Sequence, residues 1–199
     1  MNRHEEEAMR DLILKMHLSL DGFVGGADGG IQWIFGSDQE AKAWTVEFIS
    51  KAGLHIMGSR TFQAMAAYWP TSTEMFAPPM NQIPKAVFSR QGPAILRNVA
   101  TAAGAESWAK AYVASGDLAE EIAKLKAQEG KPIIAHGGAT FARSLVAQGL
   151  VDEFALLVHP VALGKGLPVF SDLSAPTRLK LMSSKAFPGG AVAQIYRAA

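Results

Sequence analysis

Pro132-Ile133-Ile134-Ala135-His136-Gly137-Gly138-Ala139-Thr140-Phe141 runs a short apolar strand into a glycine pair and out into a helical stretch. The strand reads as Pro132–Ala135, the turn as His136-Gly137-Gly138, and the helix as about Ala139 to Ala147, ended by Gly149. The same order recurs upstream. Leu54-His55-Ile56-Met57 is a buried-strand pattern, and Gly58-Ser59-Arg60-Thr61 turns it into a helix near Phe62–Ala67. Lys85-Ala86-Val87-Phe88-Ser89 is a third strand. Further out, Leu12–Leu18 predicts a first strand, followed by a loop rich in turn formers. Ser37 or Asp38 caps a helix through about Ala52, on the stripe Ala41, Trp44, Val46, Phe48 and Ile49. Four prolines make 70–84 a loop, and 91–110 has no decisive period. Ala111–Val113 reads as a strand, and Asp117 caps a helix through Gln128. Phe154–Val158 is another strand, and from Arg178 two strands meet at Pro188-Gly189-Gly190. Strands alternating with helices imply an α/β fold: three layers, α/β/α, around a mainly parallel sheet with an antiparallel C-terminal edge. No linker or repeat divides the chain, so residues 9–199 are expected to form one domain behind a disordered tail, 1–8.

Composition removes several classes of function. At 199 residues and 49% hydrophobic, the chain can bury a core and is too apolar for disorder. Lys and Arg number 19 against 18 Asp and Glu, a net charge of +1, without the basic excess expected of a nucleic-acid partner. The longest stretch free of charge, Thr61–Thr73, has 13 residues where a membrane span needs about 20. The polar start lacks the apolar run of a signal peptide, so the expected compartment is the cytoplasm, with no membrane partner. There is no cysteine, hence no disulfide and no thiolate ligand. His4, His17, His55, His136 and His159 show no metal-ligand spacing, so no metal site is expected. Neither a nucleophile elbow nor a Walker A loop is present.

Chemistry concentrates at three turns, each at the carboxyl end of a strand. Gly137-Gly138 lets a ligand approach the backbone, and the helix-start N–H groups of Ala139 and Thr140 then face it, which suits an anion. The pair would serve equally as a tight turn with close helix contact. Gly58-Ser59-Arg60-Thr61 adds hydroxyl and N–H donors and a cation, suited to phosphate or merely capping the helix. Ser89-Arg90 is the third. Open α/β sheets bind ligands at such ends, so the three reinforce one another.

Ser19-Leu20-Asp21-Gly22, Gly58-Ser59-Arg60-Thr61, Ser89-Arg90, Gly137-Gly138 and the run Gly149-Leu150-Val151-Asp152-Glu153 through Pro160, Leu163-Gly164-Lys165-Gly166 and Pro168-Val169-Phe170 follow in order. Together, from about Asp11 to Tyr196, they resemble the dihydrofolate-reductase-like family, in particular the branch of the riboflavin-biosynthesis reductase domain. The resemblance implies an NADPH-dependent oxidoreductase that transfers hydride to a small heterocyclic substrate, as 5-amino-6-(5-phosphoribosylamino)uracil reductases do, and carries the expectation of a homodimer. It implies cofactor contacts from His136, Gly137, Gly138, Ala139 and Thr140 at the pyrophosphate. Gly58, Ser59, Arg60, Thr61, Ser89 and Arg90 would hold the adenine-side phosphates, and Val24 and Gly25, on a mobile loop, would lie near the nicotinamide. Ser59 stands where many relatives carry Arg.

On the substrate side, three residues are catalytic candidates. Asp38 follows Trp33 by five residues, as the pterin-binding acid of dihydrofolate reductases follows its Trp; it would serve equally as the helix cap. Lys15 lies six residues before Asp21, matching the riboflavin-type reductase, and a lysine inside an apolar strand is costly unless it has a site or a solvated edge. His136 stands where that reductase commonly has Glu, and reads either as a donor to substrate or cofactor or as a neutral core residue. A nucleotide-binding module without catalysis and a structural homo-oligomer are the competing classes.

Overall fold

The structure is a computed structural model and describes residues 9–36, 38–97, 99 and 104–198. Eight strands form one sheet in the order β5-β4-β3-β6-β1-β7-β10-β9. They are β1 (Leu12–Ser19), β3 (Leu54–Gly58), β4 (Lys85–Phe88), β5 (Tyr112–Ala114), β6 (Ile133–His136), β7 (Glu153–His159), β9 (Leu179–Ala186) and β10 (Val192–Ala198). The first six in spatial order are parallel, and β10 and β9 close the edge antiparallel. This is the expected mainly parallel sheet with an antiparallel C-terminal edge. Its helices are α1 (Gln39–Ser50), α2 (Ser59–Tyr68), α3 (Ala77–Gln82), α4 (Glu106–Ala109), α5 (Leu118–Lys126) and α6 (Ala139–Ala147). Among the described residues no helix is long and apolar enough to cross a membrane.

Alternation along the strands decides which helix covers which face. Leu12, Leu14, Met16 and Leu18 of β1 join Ile56, Ile133 and Ala135 against Ile122 and Leu125 of α5 and Ala142, Leu145 and Val146 of α6. The opposite parity, Ile13 with Ile134 and Ala155, meets Phe48 and Ala52 at the end of α1. Met57 and Val87 meet Phe62 of α2, Met80 of α3 and Trp108 of α4 on that same side. β1 is paired on both edges by β6 and β7 and covered on both faces, by α5 and α6 on one side and the end of α1 on the other, which explains its largely apolar character. β6 is inserted between β3 and β1. Its helix α6 lies on one face while α1 and α2 lie on the other, so the connections diverge to opposite faces at the carboxyl ends of these strands, the place where open α/β sheets bind ligands.

Two expectations need correction, and one open stretch is filled in. The loop after β1 contains a strand, β2 (Phe23–Gly26), which pairs antiparallel with β8 (Gly166–Pro168) in a separate small sheet. The segment bearing Val24 and Gly25 is therefore tied down, not a mobile loop, and the Val24 side chain is buried in the main core. The proline-rich stretch 70–84 contains α3, whose prolines sit in the first turn, where the missing N–H groups would have no helical partner anyway. Within 91–110, the chain forms a 3-10 turn at Gly92–Leu96 and the short α4. The tail 1–8 and the alternative cap Ser37 lie outside the described residues.

Candidate functional site

Two helix N-termini meet beside β6. Gly138 caps α6 with φ +85° and Gly58 caps α2 in extended geometry, and neither helix start receives a side-chain cap. Their leading N–H groups are thus free to face a ligand. The two starts touch each other: Thr61 Oγ1 donates to Gly137 O at 3.3 Å, and a Cβ on Gly138 would stand 2.7 Å from Thr61 Oγ1. A Cβ on Gly58 would stand 3.1 Å from the Phe141 Cβ. At Gly138 the close contact and the left-handed backbone both favour glycine, while a side chain at Gly58 would require Phe141 to give by a few tenths of an ångström. Ser59 and Ala139 are half-buried, while Thr140 and Arg60 are exposed. Beyond β4, buried Ser89 accepts the Gln91 N–H at 3.2 Å, fixing the turn that presents exposed Arg90. No ion pair involves Arg60 or Arg90 among the described residues.

A buried basic layer lies next to this cradle, on the α1 face. Lys15 of β1 is opposite His136 of β6 in the register. It is in mid-sheet and buried, which removes the solvated-edge reading, and burial lowers its amine to about 7. Its Nζ donates to His17 Nε2, and His17 Nδ1 lies 2.8 Å from His159 Nε2 on β7. The rings of His17 and His159 stack at 5.1 Å, and Trp33 meets His159 edge-on at 5.5 Å. On the other side, His136 packs edge-on against His55 at 4.5 Å, and His55 pairs with Lys85 across β3 and β4. Burial, then the Lys15 and His159 charges, holds His17 well below the ordinary imidazole value. Burial lowers His55 to about 3 and Lys85 to about 7, and it also lowers His159. Burial first, then His55 and the two lysines, keeps His136 neutral. No partner for His136 Nε2 is found among the described residues. His136 is thus a neutral buried residue whose Nε2 has no protein partner among the described residues.

The two candidate carboxylates are both engaged by backbone donors. Asp38 is the N-cap of α1: Oδ1 accepts from Ala41 N at 3.0 Å, and Oδ2 accepts from Gly189 N at 2.6 Å in the β9–β10 turn. Asp21 accepts the Ser19 hydroxyl at 2.6 Å and the N–H groups of Leu163 and Gly164 at 3.1 and 2.7 Å. The Ser19 hydroxyl, followed by the backbone donors, holds Asp21 below the usual carboxylate range; Ala41 N–H leads the same effect at Asp38. Carboxylates kept ionised by structural donors are poor proton donors. Asp38→Ala is expected to lower the unfolding midpoint by a few degrees, because it frees a helix start and a hairpin turn together. Calorimetric melting checks this, and an unchanged midpoint would contradict the clamp.

His17 and His159 are the site residues that a search for metal-ligand spacing misses. The available signal was the alternation Lys15, His17, Ser19 along one face of an otherwise apolar strand. A cavity of about 900 Å³ lies elsewhere, between α3 and α4 at the amino end of β4, and contains none of the predicted site residues.

The fold is an α/β domain whose candidate site residues gather at the carboxyl ends of its parallel strands. The profile of the RibD C-terminal domain matches residues 10–193, and the chain belongs to that family. It is 29% identical over 187 residues to the uncharacterized Bacillus subtilis (strain 168) protein YyaP, covering 94% of each chain. It is 28% identical over 164 residues to the riboflavin biosynthesis protein RibD of Corynebacterium ammoniagenes, covering 79% of this chain and 45% of that protein. The fold resembles the Thermotoga maritima diaminohydroxyphosphoribosylaminopyrimidine deaminase/5-amino-6-(5-phosphoribosylamino)uracil reductase. Here the TM-score is 0.68 at 16% identity, over 96% of this chain and 57% of that one. A pyrimidine reductase-like protein from Corynebacterium diphtheriae gives a TM-score of 0.65 at 18% identity, over 96% and 92%.

Proposed function

We propose that this protein is an NADPH-dependent reductase of a small heterocyclic substrate, of the riboflavin-type pyrimidine reductase kind. The observation that carries the reading is the pair of open helix N-termini beside a buried lysine, at the ends of neighbouring strands. A dinucleotide fits the residues present. Gly137, Gly138, Ala139 and Thr140 offer backbone donors to a pyrophosphate, and Ser59, Arg60, Thr61, Ser89 and Arg90 offer hydroxyls and cations to the remaining phosphates. His136, with its unsatisfied ring nitrogen, faces the same region from the end of β6. Backbone at Val24 and Gly25 would border the nicotinamide. When bound, the cofactor supplies hydride to a C=N or C=O of the substrate.

The chain's own part is to orient the substrate and move a proton. Lys15, titrating near neutrality, can release a proton to a reduced heterocycle and recover it. The acidic candidates Asp21 and Asp38 hold the turns at Gly164 and Gly189 through backbone hydrogen bonds. The cofactor reading is tested by calorimetry with both nicotinamides. NADPH is expected to bind at least about tenfold more tightly than NADH, since a charged hydrogen bond to the extra phosphate contributes roughly 1.5–3 kcal/mol. Equal affinities would remove Arg60 and Arg90 from the phosphate site. Tight NADPH binding with no turnover on pterins or pyrimidines would favour a nucleotide-binding module.

A further inference from the structure

We propose that His17 and His159 form a proton relay that connects the Lys15 amine to solvent at the carboxyl end of β7. This rests on the reading of Lys15 as the proton donor and names the route by which it is recharged.

The geometry is a continuous chain of two hydrogen bonds, Lys15 Nζ to His17 Nε2 and His17 Nδ1 to His159 Nε2. It runs diagonally across β1 and β7, which are paired in parallel, with Ser19 opposite His159. Its inner end is buried, while His159 is only half-buried, so the chain leads outward. Imidazole is the side chain suited to this, because one nitrogen can take a proton as the other gives one up. Both rings are held neutral by burial, the state a relay needs. His136 from β6, His55 from β3 and Lys85 from β4 complete the surroundings, and no carboxylate is among the groups that shift them. No carboxylate therefore traps the proton along the way.

The steps balance. With Lys15 charged, its N–H donates to His17 Nε2, and His17 and His159 each carry their hydrogen on Nδ1. When Lys15 discharges along the chain, its proton passes to His17 Nε2, the His17 Nδ1 hydrogen passes to His159 Nε2 and the His159 Nδ1 hydrogen leaves to water, so the amine is neutral and both rings carry hydrogen on Nε2. Recharging takes one proton from water onto His159 Nδ1. The His159 Nε2 hydrogen passes to His17 Nδ1, and the His17 Nε2 hydrogen passes to Lys15. One proton enters, one bond forms and one breaks at each ring, and both tautomers switch together.

The test uses the ligand-free protein, so it does not depend on turnover. Ring-nitrogen NMR of histidine-labelled protein is followed through the titration of Lys15, itself read from labelled lysine. The expected result is a joint switch of His17 and His159 from Nδ1–H to Nε2–H as Lys15 loses its charge, and loss of that switch in Lys15→Met. In His159→Gln, which keeps a hydrogen-bonding group but cannot exchange protonation sites, the His17 ring N–H should exchange with water more slowly, with the His55 ring unchanged as the internal reference. A His17 tautomer indifferent to the Lys15 charge, or a His159 ring that stays fixed, overturns the relay. A protein that shows the switch but binds no NADPH keeps the relay and loses the reductase reading; NADPH binding without the switch does the reverse.

Discussion

Lys15→Met is expected to raise the stability of the folded protein at pH 6–7 while greatly slowing reduction of any substrate the unaltered protein accepts. The amine is buried in mid-sheet, and burial lowers it from 10.5 to about 7. Between those values the unfolded chain binds the proton that the folded chain has released, so stability rises with pH across that window. Below about pH 7 both states are charged and the full cost of burying the ammonium is present; above about 10.5 it has vanished. With about 1.4 kcal/mol attached to each unit, the cost at neutral pH is on the order of a few kcal/mol. Methionine fills similar space with no charge, but leaves His17 Nε2 unpaired, which returns roughly 1–3 kcal/mol of the gain. The net stabilisation should therefore be largest below pH 7 and gone by about pH 10.5. Denaturant titration at several pH values measures it, and a variant that is less stable at pH 6 would show the ammonium to be well compensated. Removal of the proton donor should cost roughly 10²–10⁴-fold in turnover with NADPH affinity retained. A stabilised but much slower variant would mark Lys15 as held in place for chemistry and not for folding.

How much of this could be read from the chain depends on where each residue's partners lie. Strands β3, β4, β5 and β6 were legible because each is a short run that ends at glycine or serine before a helical turn, as at Met57-Gly58 and His136-Gly137. The hairpin at Pro188-Gly189-Gly190 carries its own turn chemistry. β2 was not legible, because Phe23-Val24-Gly25-Gly26 owes its extended form to Gly166–Pro168, far along the chain. α3 was hidden by prolines that belong to a helix's first turn. At the site, Lys15 stood out as a charge inside an apolar strand. Asp21 and Asp38 looked like catalytic acids because their partners are mostly backbone N–H groups of distant turns, which no side-chain pattern displays. His17 was passed over for a similar reason: its partner His159 is brought beside it only by the β1–β7 register.

Gly138→Val is expected to cost NADPH affinity roughly 10²–10⁴-fold while leaving a folded protein. At φ +85° a β-branched residue is strained by about 1–2 kcal/mol, which a domain with roughly 5–15 kcal/mol of stability survives. Its Cβ would also stand 2.7 Å from Thr61 Oγ1, so the starts of α2 and α6 must separate. That separation moves the helix-start N–H groups of both helices away from a shared anion. Losing two charged hydrogen bonds at roughly 1.5–3 kcal/mol each accounts for the range given. Two further variants divide the causes. Gly138→Ala keeps the strain and the contact with Thr61 but not the two extra methyl groups, so it should lose less affinity. Adding Thr61→Ala removes the hydroxyl that the new Cβ would strike and should restore part of the binding, although it gives up one candidate phosphate donor. Circular dichroism reports the fold and fluorescence titration reports NADPH. If folded Gly138→Val binds NADPH as the unaltered protein does, the anion does not sit on this turn. The close contact of α2 with α6 would then be reason enough for glycine at this position.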